Sequence, residues 1–162
     1  MGAFDHLPYR PCVGILLTDG RGRLFAGARA HGASGAWQAP QGGVDPGETH
    51  LGAALRELVE ETGVAEADVT VLAQSETMHR YDLPDEIIPT RWGGRYRGQE
   101  QAWFLLRLDA GDDAIDIGTP EPEFTEWRWM TPDEMLDAIV AFKRPVYRDV
   151  IDEFRPHLAA AD

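Results

Sequence analysis

The amino-acid sequence has a single cysteine, Cys12, a single lysine, Lys143, and no long apolar run. A lone cysteine excludes an internal disulfide and is typical of the reducing cytoplasm. No segment approaches the ~20 apolar residues that a membrane-spanning helix needs. The first ten residues also lack the basic and then apolar pattern of a signal peptide. We therefore expect a cytoplasmic protein with no membrane partner.

Basic residues are scarce, since 15 Lys and Arg stand against 28 Asp and Glu, for a formal net charge of −13. This balance excludes nucleic-acid binding through a broad basic surface, so no DNA partner is expected. Residues 51–75 and 109–137 together contain the whole acidic excess. Such runs are usually solvated surface, and only the spacing inside them indicates more.

The length of 162 residues and the apolar content of 43% favour one domain, 1–162, with a sizeable core. Apolar runs and turn residues predict strands at 12–17, 24–28, 102–108 and 125–130, and one at 69–73 that extends towards His79. A short strand is also predicted at 37–41, broken by Pro40. Helices are predicted at 49–62, at 131–142 after a Thr131 capping box, and at 146–154 after Pro145. Irregular loops are expected at 31–36 and 82–99. The pattern indicates an α/β fold.

The predicted helix 49–62 has two different faces. At about 100° per residue, Glu57, Glu60 and Glu61 share an arc of about 100°. The predicted core stripe consists of Leu51, Leu55, Leu58, Val59 and Thr62. Like charges at this spacing oppose helix formation by ~0.2–0.5 kcal/mol per pair, and clustered carboxylates suit a hard cation such as Mg²⁺. The alternative is an ordinary amphipathic helix with a solvated acidic face.

Residues 42–64 place these carboxylates in a longer motif. From Gly42 through Glu48 to Val64 the segment follows G-x5-E-x7-R-E-U-x-E-E-x-G-U, where U is apolar. Every fixed position matches the Nudix box, so the chain resembles the Nudix hydrolase family. The resemblance implies the Nudix fold, which is an α/β/α sandwich around a mixed β-sheet. It also implies hydrolysis of a nucleoside diphosphate that is linked to another group.

The resemblance also implies roles for residues within the box. Glu57, Glu60 and Glu61 would hold Mg²⁺, with Mn²⁺ or another divalent cation as a substitute. Glu48 and Arg56 would pair and fix the loop on the helix, whereas an ordinary surface ion pair contributes little. The glycines let the loop pack closely where a side chain would clash.

Segments outside the box extend the resemblance over about residues 8–155. Among them are Tyr9-Arg10-Pro11, Trp37-Gln38-Ala39-Pro40-Gln41 and Phe142-Lys143-Arg144. They are similar to the Nudix branch that contains bacterial RNA pyrophosphohydrolases and dinucleoside polyphosphate hydrolases. The loops 31–36 and 85–98 vary within this branch, and we expect both to border the substrate cleft.

This wider resemblance adds further site residues. Glu123 would contact metal and help to activate water, and the alternative is one more surface carboxylate. Arg10 and Arg29 would approach the substrate phosphates. A patch for a nucleobase would be formed by Val140, Phe142 and Lys143. A base stacked on Phe142 would contribute ~1–3 kcal/mol, but Phe142 is equally well explained as a core aromatic, as is Tyr81, a second stacking candidate.

The leading hypothesis is a Mg²⁺-dependent RNA pyrophosphohydrolase that leaves a 5′-monophosphate end and releases pyrophosphate. One alternative is a dinucleoside polyphosphate hydrolase that cleaves diadenosine tetraphosphate into ATP and AMP. Another is an ADP-sugar or oxidised-nucleotide hydrolase, and a fourth is a non-catalytic nucleotide-sensing module. The partner is accordingly a 5′-phosphorylated RNA end or a dinucleoside polyphosphate. The catalytic base is one of Glu57, Glu61 and Glu123.

Overall fold

The computed structural model describes residues 2–30 and 36–158. Eight strands lie within these ranges: β1 (Tyr9–Thr18), β2 (Leu24–Arg29), β3 (Trp37–Gln38), β4 (Gln41–Gly43), β5 (Val69–Gln74), β6 (His79–Asp82), β7 (Gly98–Leu108) and β8 (Phe124–Met130). The helices are α1 (His50–Thr62), α2 (Pro132–Ala138) and α3 (Arg144–Leu158). Most of the predicted loop 31–36 lies outside the described residues.

The strands form one mixed sheet in the order β3-β2-β1-β7-β5, while β4 pairs with β1, β6 with β7 and β8 with β2. The pairing of β1 with β7 is parallel, and all other pairings are antiparallel. This central parallel pair is covered on both faces, which explains why both strands are apolar runs.

Helices pack on both faces of the sheet. On one face, Leu58 and two alanines of α1 join Ile15 and Phe104 in one core cluster. On the other face, Met135 of α2 and residues of α3 such as Tyr147 pack around Trp103 in a second cluster. The predicted α/β architecture with helices on both sides of a mixed sheet is confirmed. No helix among the described residues is both long and apolar enough to cross a membrane.

The boundaries of α1 agree with the sequence, but the buried face of the helix differs. Thr49 caps the helix by accepting a hydrogen bond from the Gly52 amide at 2.9 Å, and Gly63 ends it at a left-handed φ of 71°. The predicted core residues Leu51 and Val59 are 37% and 46% exposed. Leu58 and Thr62 are buried as predicted, but Ala53, Ala54 and Glu61 take the place of Leu51 and Val59 on the buried face.

Several predicted boundaries were wrong, mostly in the C-terminal third. The segment 37–41 is interrupted at Pro40 as expected and forms β3 and the start of β4, but β6 is separate from β5. Helix α2 ends at Ala138 rather than Phe142, because Ile139 is extended with ψ 146°. Pro145 lies in the first turn of α3, where its missing N–H breaks no helical hydrogen bond, so the helix starts before it.

Candidate functional site

The face of α1 nearest to the sheet brings Glu57 and Glu61 against β4. Gly42 of β4 lies so close to the Glu57 carboxylate that a Cβ atom at this position would overlap it. Glu61 is 7% exposed, whereas the Glu60 side chain is 55% exposed. The three carboxylates therefore span a gradient from the protein interior to solvent along one helix.

Arg56 connects the helix to the loop before it. Its Nε and Nη2 lie 2.8 Å and 2.9 Å from the two carboxylate oxygens of Glu48, and Nη2 also donates to the carbonyl of Gly43 at 2.8 Å. Its Nη1 donates to Glu57 at 2.9 Å. The hydrogen bonds that Arg56 donates to Glu48 lower the pKa of Glu48 to about 2. The same hydrogen bonds raise the pKa of Arg56. The loop, the helix and Glu57 are thus held by one guanidinium.

Glu61 is a buried carboxyl group. Burial, and then its hydrogen bond with Glu57, raise its pKa to about 10. Its Oε1 is buried without a hydrogen-bond partner among the described residues. Burial also raises the pKa of Glu57. Carboxyl groups in such surroundings stay ionised only when a positive charge compensates them.

A cavity of about 430 Å³ lies in front of these carboxylates. Its lining consists of Glu57, Glu60, Glu61, Pro120, Glu121 and Glu123. Glu123 reaches it from the residue before β8, where its carbonyl accepts a hydrogen bond from the Ala30 amide at 2.8 Å. The loop residues 120–123 therefore form the wall opposite α1, and four of the six lining residues are those that the sequence assigned to metal.

The donor set fits a hard divalent cation by its chemistry. Carboxylate oxygens are the preferred ligands of such ions, and the orphaned Oε1 of Glu61 is one such oxygen without a partner. Across the described ranges, no three His, Cys, Asp or Glu side chains are already grouped around one ion position. Glu57 is held by Arg56 instead.

A second, smaller cavity of about 130 Å³ contains two of the three residues of the predicted nucleobase patch, Val140 and Phe142. Its walls are Arg29, Ala36, Trp37, Gln38, Ile87, Arg91, Val140 and Phe142. Phe142 is half-buried and packs on Tyr81, with ring centroids 5.7 Å apart. Arg29 also approaches the first cavity, because its Nε is 4.0 Å from Oε1 of Glu123, which lines that cavity. One guanidinium therefore lies between the acidic cavity and the apolar one.

Lys143 does not lie on the open surface of this pocket. It is 3% exposed, and its Nζ donates to Gln38 Oε1 at 3.0 Å and lies 5.7 Å from the centroid of the Tyr81 ring. Burial, followed by the nearby Arg29 and Arg91, lowers its pKa to about 7. The structure thus places the ammonium group behind the pocket wall rather than in its mouth.

Arg10 lies against Gly43 of the box. Its Cζ is 5.0 Å from the centroid of the Trp92 ring, and its Nη1 lies 3.6 Å from Cys12 Sγ. A Cβ atom on Gly43 would meet Arg10 and one on Gly42 would meet Glu57, so Arg10 and the carboxylates border β4 from opposite faces of the sheet. The loop 82–97 adds Ile87, Arg91 and Trp92, whose individual places the sequence alone did not reveal.

Comparison with known proteins agrees with this geometry. Residues 8–150 match the NUDIX domain, and the chain belongs to the Nudix family. It is 56% identical over 155 residues to an RNA pyrophosphohydrolase of Novosphingobium aromaticivorans, covering 94% of this chain and 96% of that protein. It is 55% identical over 148 residues to an RNA pyrophosphohydrolase of Dinoroseobacter shibae, covering 91% and 92%.

A solved structure shows the same fold at low sequence identity. An Ap4A hydrolase binary complex from C. elegans superposes with a TM-score of 0.67 at 18% identity, over 91% of this chain and 98% of that chain. The predictions of family and of the Nudix fold are confirmed. Nudix hydrolases generally use divalent cations, which agrees with the carboxylate chemistry of the first cavity.

Proposed function

We propose that this chain is a Mg²⁺-dependent RNA pyrophosphohydrolase. Water would cleave the anhydride between the α- and β-phosphates of 5′-triphosphorylated RNA, leaving a 5′-monophosphate end and releasing pyrophosphate. The observation that carries the proposal is the 4.0 Å approach of Arg29, a wall residue of the apolar, aromatic pocket, to Glu123 of the carboxylate cluster. A nucleobase and a phosphate chain on one substrate require these two environments side by side.

Four carboxylates would hold the cation, namely Glu57, Glu60, Glu61 and Glu123. When bound, a divalent cation lowers the pKa of water and offsets the charge of phosphate oxygens. The high pKa of Glu61, about 10, shows how strongly its site favours a neutral carboxyl in the absence of positive charge. Binding of a cation would release that proton, so affinity for the ion should rise with pH. Mn²⁺ is expected to substitute for Mg²⁺.

The remaining residues would orient the substrate and move protons. One of Glu57, Glu61 and Glu123 would accept the proton of the attacking water. Arg56 contacts Glu57 and the Gly43 carbonyl and is itself held by Glu48, so this pair would hold the loop and the helix in register during the reaction. This precision matters because small displacements of a reacting group cost large factors in rate.

The phosphates and the base would be held by a separate set of residues. Arg10 and Arg29 would contact the phosphate chain, while Val140 and Phe142 would contact the base. Lys143 would act indirectly, because its ammonium group donates a hydrogen bond to Gln38, whose side chain lines the pocket. We further propose that residues 1–162 act as one catalytic domain in the cytoplasm, which agrees with one cysteine and a buried thiol.

The decisive experiment is product analysis of the purified protein with Mg²⁺ on three substrates. These are a 5′-triphosphorylated oligoribonucleotide, diadenosine tetraphosphate and ADP-ribose. We expect the highest kcat/KM on the RNA, with a 5′-monophosphate product and pyrophosphate. If the RNA is left untouched, the proposal fails, and preferential cleavage of diadenosine tetraphosphate would select the dinucleoside polyphosphate hydrolase instead.

Replacement of one carboxylate separates an enzyme from a sensing module. Glu60→Gln keeps the shape of a half-exposed side chain and removes a ligand charge, so we expect kcat to fall by a factor of about 10² or more while RNA binding persists. Glu66→Gln, on an exposed turn outside the cavity, is the matched control and should leave kcat unchanged. Binding by the wild type without turnover in any divalent cation would favour the sensing module.

A further inference from the structure

Trp92 has a backbone conformation that its side chain disfavours. Its φ of 47° is in the left-handed region, and it is the only non-glycine residue with positive φ in the described part of the chain. Gly93 and Gly94 follow with φ of 69° and 72°, so three successive residues turn in the left-handed sense. For a bulky residue this conformation is an outlier that persists only where its surroundings stabilise it, and such outliers concentrate at functional sites.

The ring of Trp92 is placed by this turn against Arg10. The Cζ of Arg10 lies 5.0 Å from the ring centroid, within the range of a cation–π contact. Tyr96 packs edge-on against the same ring at 6.1 Å, and Arg95 Nε donates to the Trp92 carbonyl at 3.1 Å. Tyr96 and Arg95 of the loop therefore hold Trp92 in place, and its ring lies against Arg10 of β1.

The other side of Arg10 is closed by the box itself. A Cβ atom at Gly43 would lie 2.5 Å from Arg10 Nη2, so the guanidinium occupies the space that a side chain at Gly43 would take. Its Nη1 contacts the sulfur of Cys12, and burial raises the pKa of that thiol to about 11, so the thiol is neutral. Neither Trp92 nor Cys12 offsets the charge of Arg10. The guanidinium is thus fixed in position while its charge stays available to an anion.

We propose that Trp92 is a positioning residue that holds the Arg10 guanidinium beside the Nudix box for a substrate phosphate. The inference rests on the proposed function in one respect, since it takes the phosphate chain of that substrate as the anion. Arginine has many rotamers, and each one excluded before binding reduces the entropy lost when phosphate is bound. The left-handed backbone at Trp92 is maintained because it brings this ring, and no other in the loop, onto Arg10.

Two variants of one position separate the ring from the backbone. Trp92→Asn tolerates a left-handed φ but has no ring, whereas Trp92→Phe keeps an aromatic face. We expect Trp92→Asn to raise the KM for 5′-triphosphorylated RNA about five- to tenfold with little change in kcat. Trp92→Phe should restore most of the lost affinity. An unchanged KM in Trp92→Asn would overturn the inference.

A double-mutant cycle tests whether Trp92 acts through Arg10. Arg10→Gln alone should raise the KM, and adding Trp92→Asn to it should raise the KM no further, because the partner of the ring is already gone. If Trp92→Asn has its full effect in the Arg10→Gln protein, the ring acts elsewhere and the inference fails. Tyr96→Leu removes the other aromatic neighbour of Trp92, and it should change KM less than Trp92→Asn does.

The same set of variants distinguishes this inference from the proposed function. Affinity for a fluorescently labelled 5′-triphosphorylated oligoribonucleotide, measured by anisotropy without turnover, reports on binding separately from hydrolysis. If the wild type binds this probe but does not hydrolyse it, the proposed function fails, and weaker binding by Trp92→Asn still supports positioning. If the wild type hydrolyses RNA while Trp92→Asn binds the probe equally well, the positioning role fails and the proposed function stands.

Discussion

The guanidinium of Arg56 and the carboxylate of Glu48 form two parallel hydrogen bonds, of 2.8 Å and 2.9 Å, between a helix and the loop that precedes it. Paired bonds of this geometry fix orientation as well as distance. The same arginine reaches Glu57 and the Gly43 carbonyl. The two residues thus join the strand, the loop and the acidic face of α1.

Loss of the Glu48 charge should therefore affect catalysis more than folding. We predict that Glu48→Gln lowers kcat/KM on RNA by a factor of about 10–100, as for other residues that orient ligands. Asp19→Asn is the control, because it breaks a similar ion pair with Arg23, at 2.7 Å, in a hairpin turn. Steady-state kinetics and thermal unfolding measure both effects. Equal kinetics in the two variants would contradict a role for Glu48 in the site.

Glu48 also has a predictable signature in acid. Its folded-state pKa of about 2 is below the usual value, so the pair stabilises the folded protein above the usual pKa of a glutamate. That contribution is lost as the pH falls from about 4.5 towards 2. Urea unfolding over this range should show a shallower acid dependence for Glu48→Gln than for the wild type. Parallel curves would contradict the prediction.

Gly42 is predicted to be irreplaceable for function. A methyl group at this position would overlap the Glu57 carboxylate, so Gly42→Ala must displace either the carboxylate or β4. We expect turnover to fall by a factor of about 10² or more. Gly111→Ala is a matched control, since Gly111 has an ordinary φ of −73° and its added methyl would meet only the side-chain oxygen of Asp113. Turnover near the wild-type rate in Gly42→Ala would contradict the proposed place of Glu57.

The two explanations of Phe142 predict different measurements. If a base stacks on it, Phe142→Leu should raise the KM for RNA about tenfold or more, since stacking is worth ~1–3 kcal/mol per base. If it is only a core aromatic, the variant should lower the thermal midpoint and leave KM unchanged. Phe154→Leu is the control for the second case, because Phe154 is 1% exposed within α3. Its position in the pocket wall leads us to expect the KM effect.

Lys143 should make stability depend on pH in the alkaline range. Its folded-state pKa of about 7 lies below the usual value for lysine, so the unfolded chain binds more protons than the folded one between about pH 7 and 10.5. The free energy of unfolding of the wild type, relative to Lys143→Met, should therefore increase as the pH rises from 7 to 10. Urea unfolding at several pH values measures the difference. A constant difference would show that burial does not lower the pKa of Lys143.

The sequence was most informative where one local pattern determines one local structure. The Thr49 cap, the Gly63 terminus and the motif between them set α1 within one residue, because capping depends on neighbours in the chain. The carboxylates of the box needed only helical periodicity to be placed together. Glu123 could be joined to them only by resemblance, since it lies more than fifty residues further along the chain.

The parts that were missed depend on tertiary contact. The helical wheel assigned Leu51 and Val59 to the core, but α1 buries its two alanines and Glu61, a residue that hydrophobicity places outside. Nothing in residues 82–99 predicts a left-handed tryptophan, because its cost is offset by an arginine of β1. The burial of Lys143 likewise depends on Gln38, a residue of a distant strand.

The parallel pairing of β1 with β7 has a consequence for synthesis of the protein. Tyr9 pairs with Gly98 and Thr18 with Arg107, so partners about 90 residues apart must meet. Ribosomes add ~5–20 residues per second, so β1 waits several seconds for its partner to be made. During that time the Nudix box has been translated, but the edge of β1 that pairs with β7 in the folded protein has no partner strand. The nascent chain thus contains the carboxylates of the Nudix box well before it can fold into an active domain. Truncated messenger RNAs that end before β7 should therefore yield products that chaperones and proteases recognise.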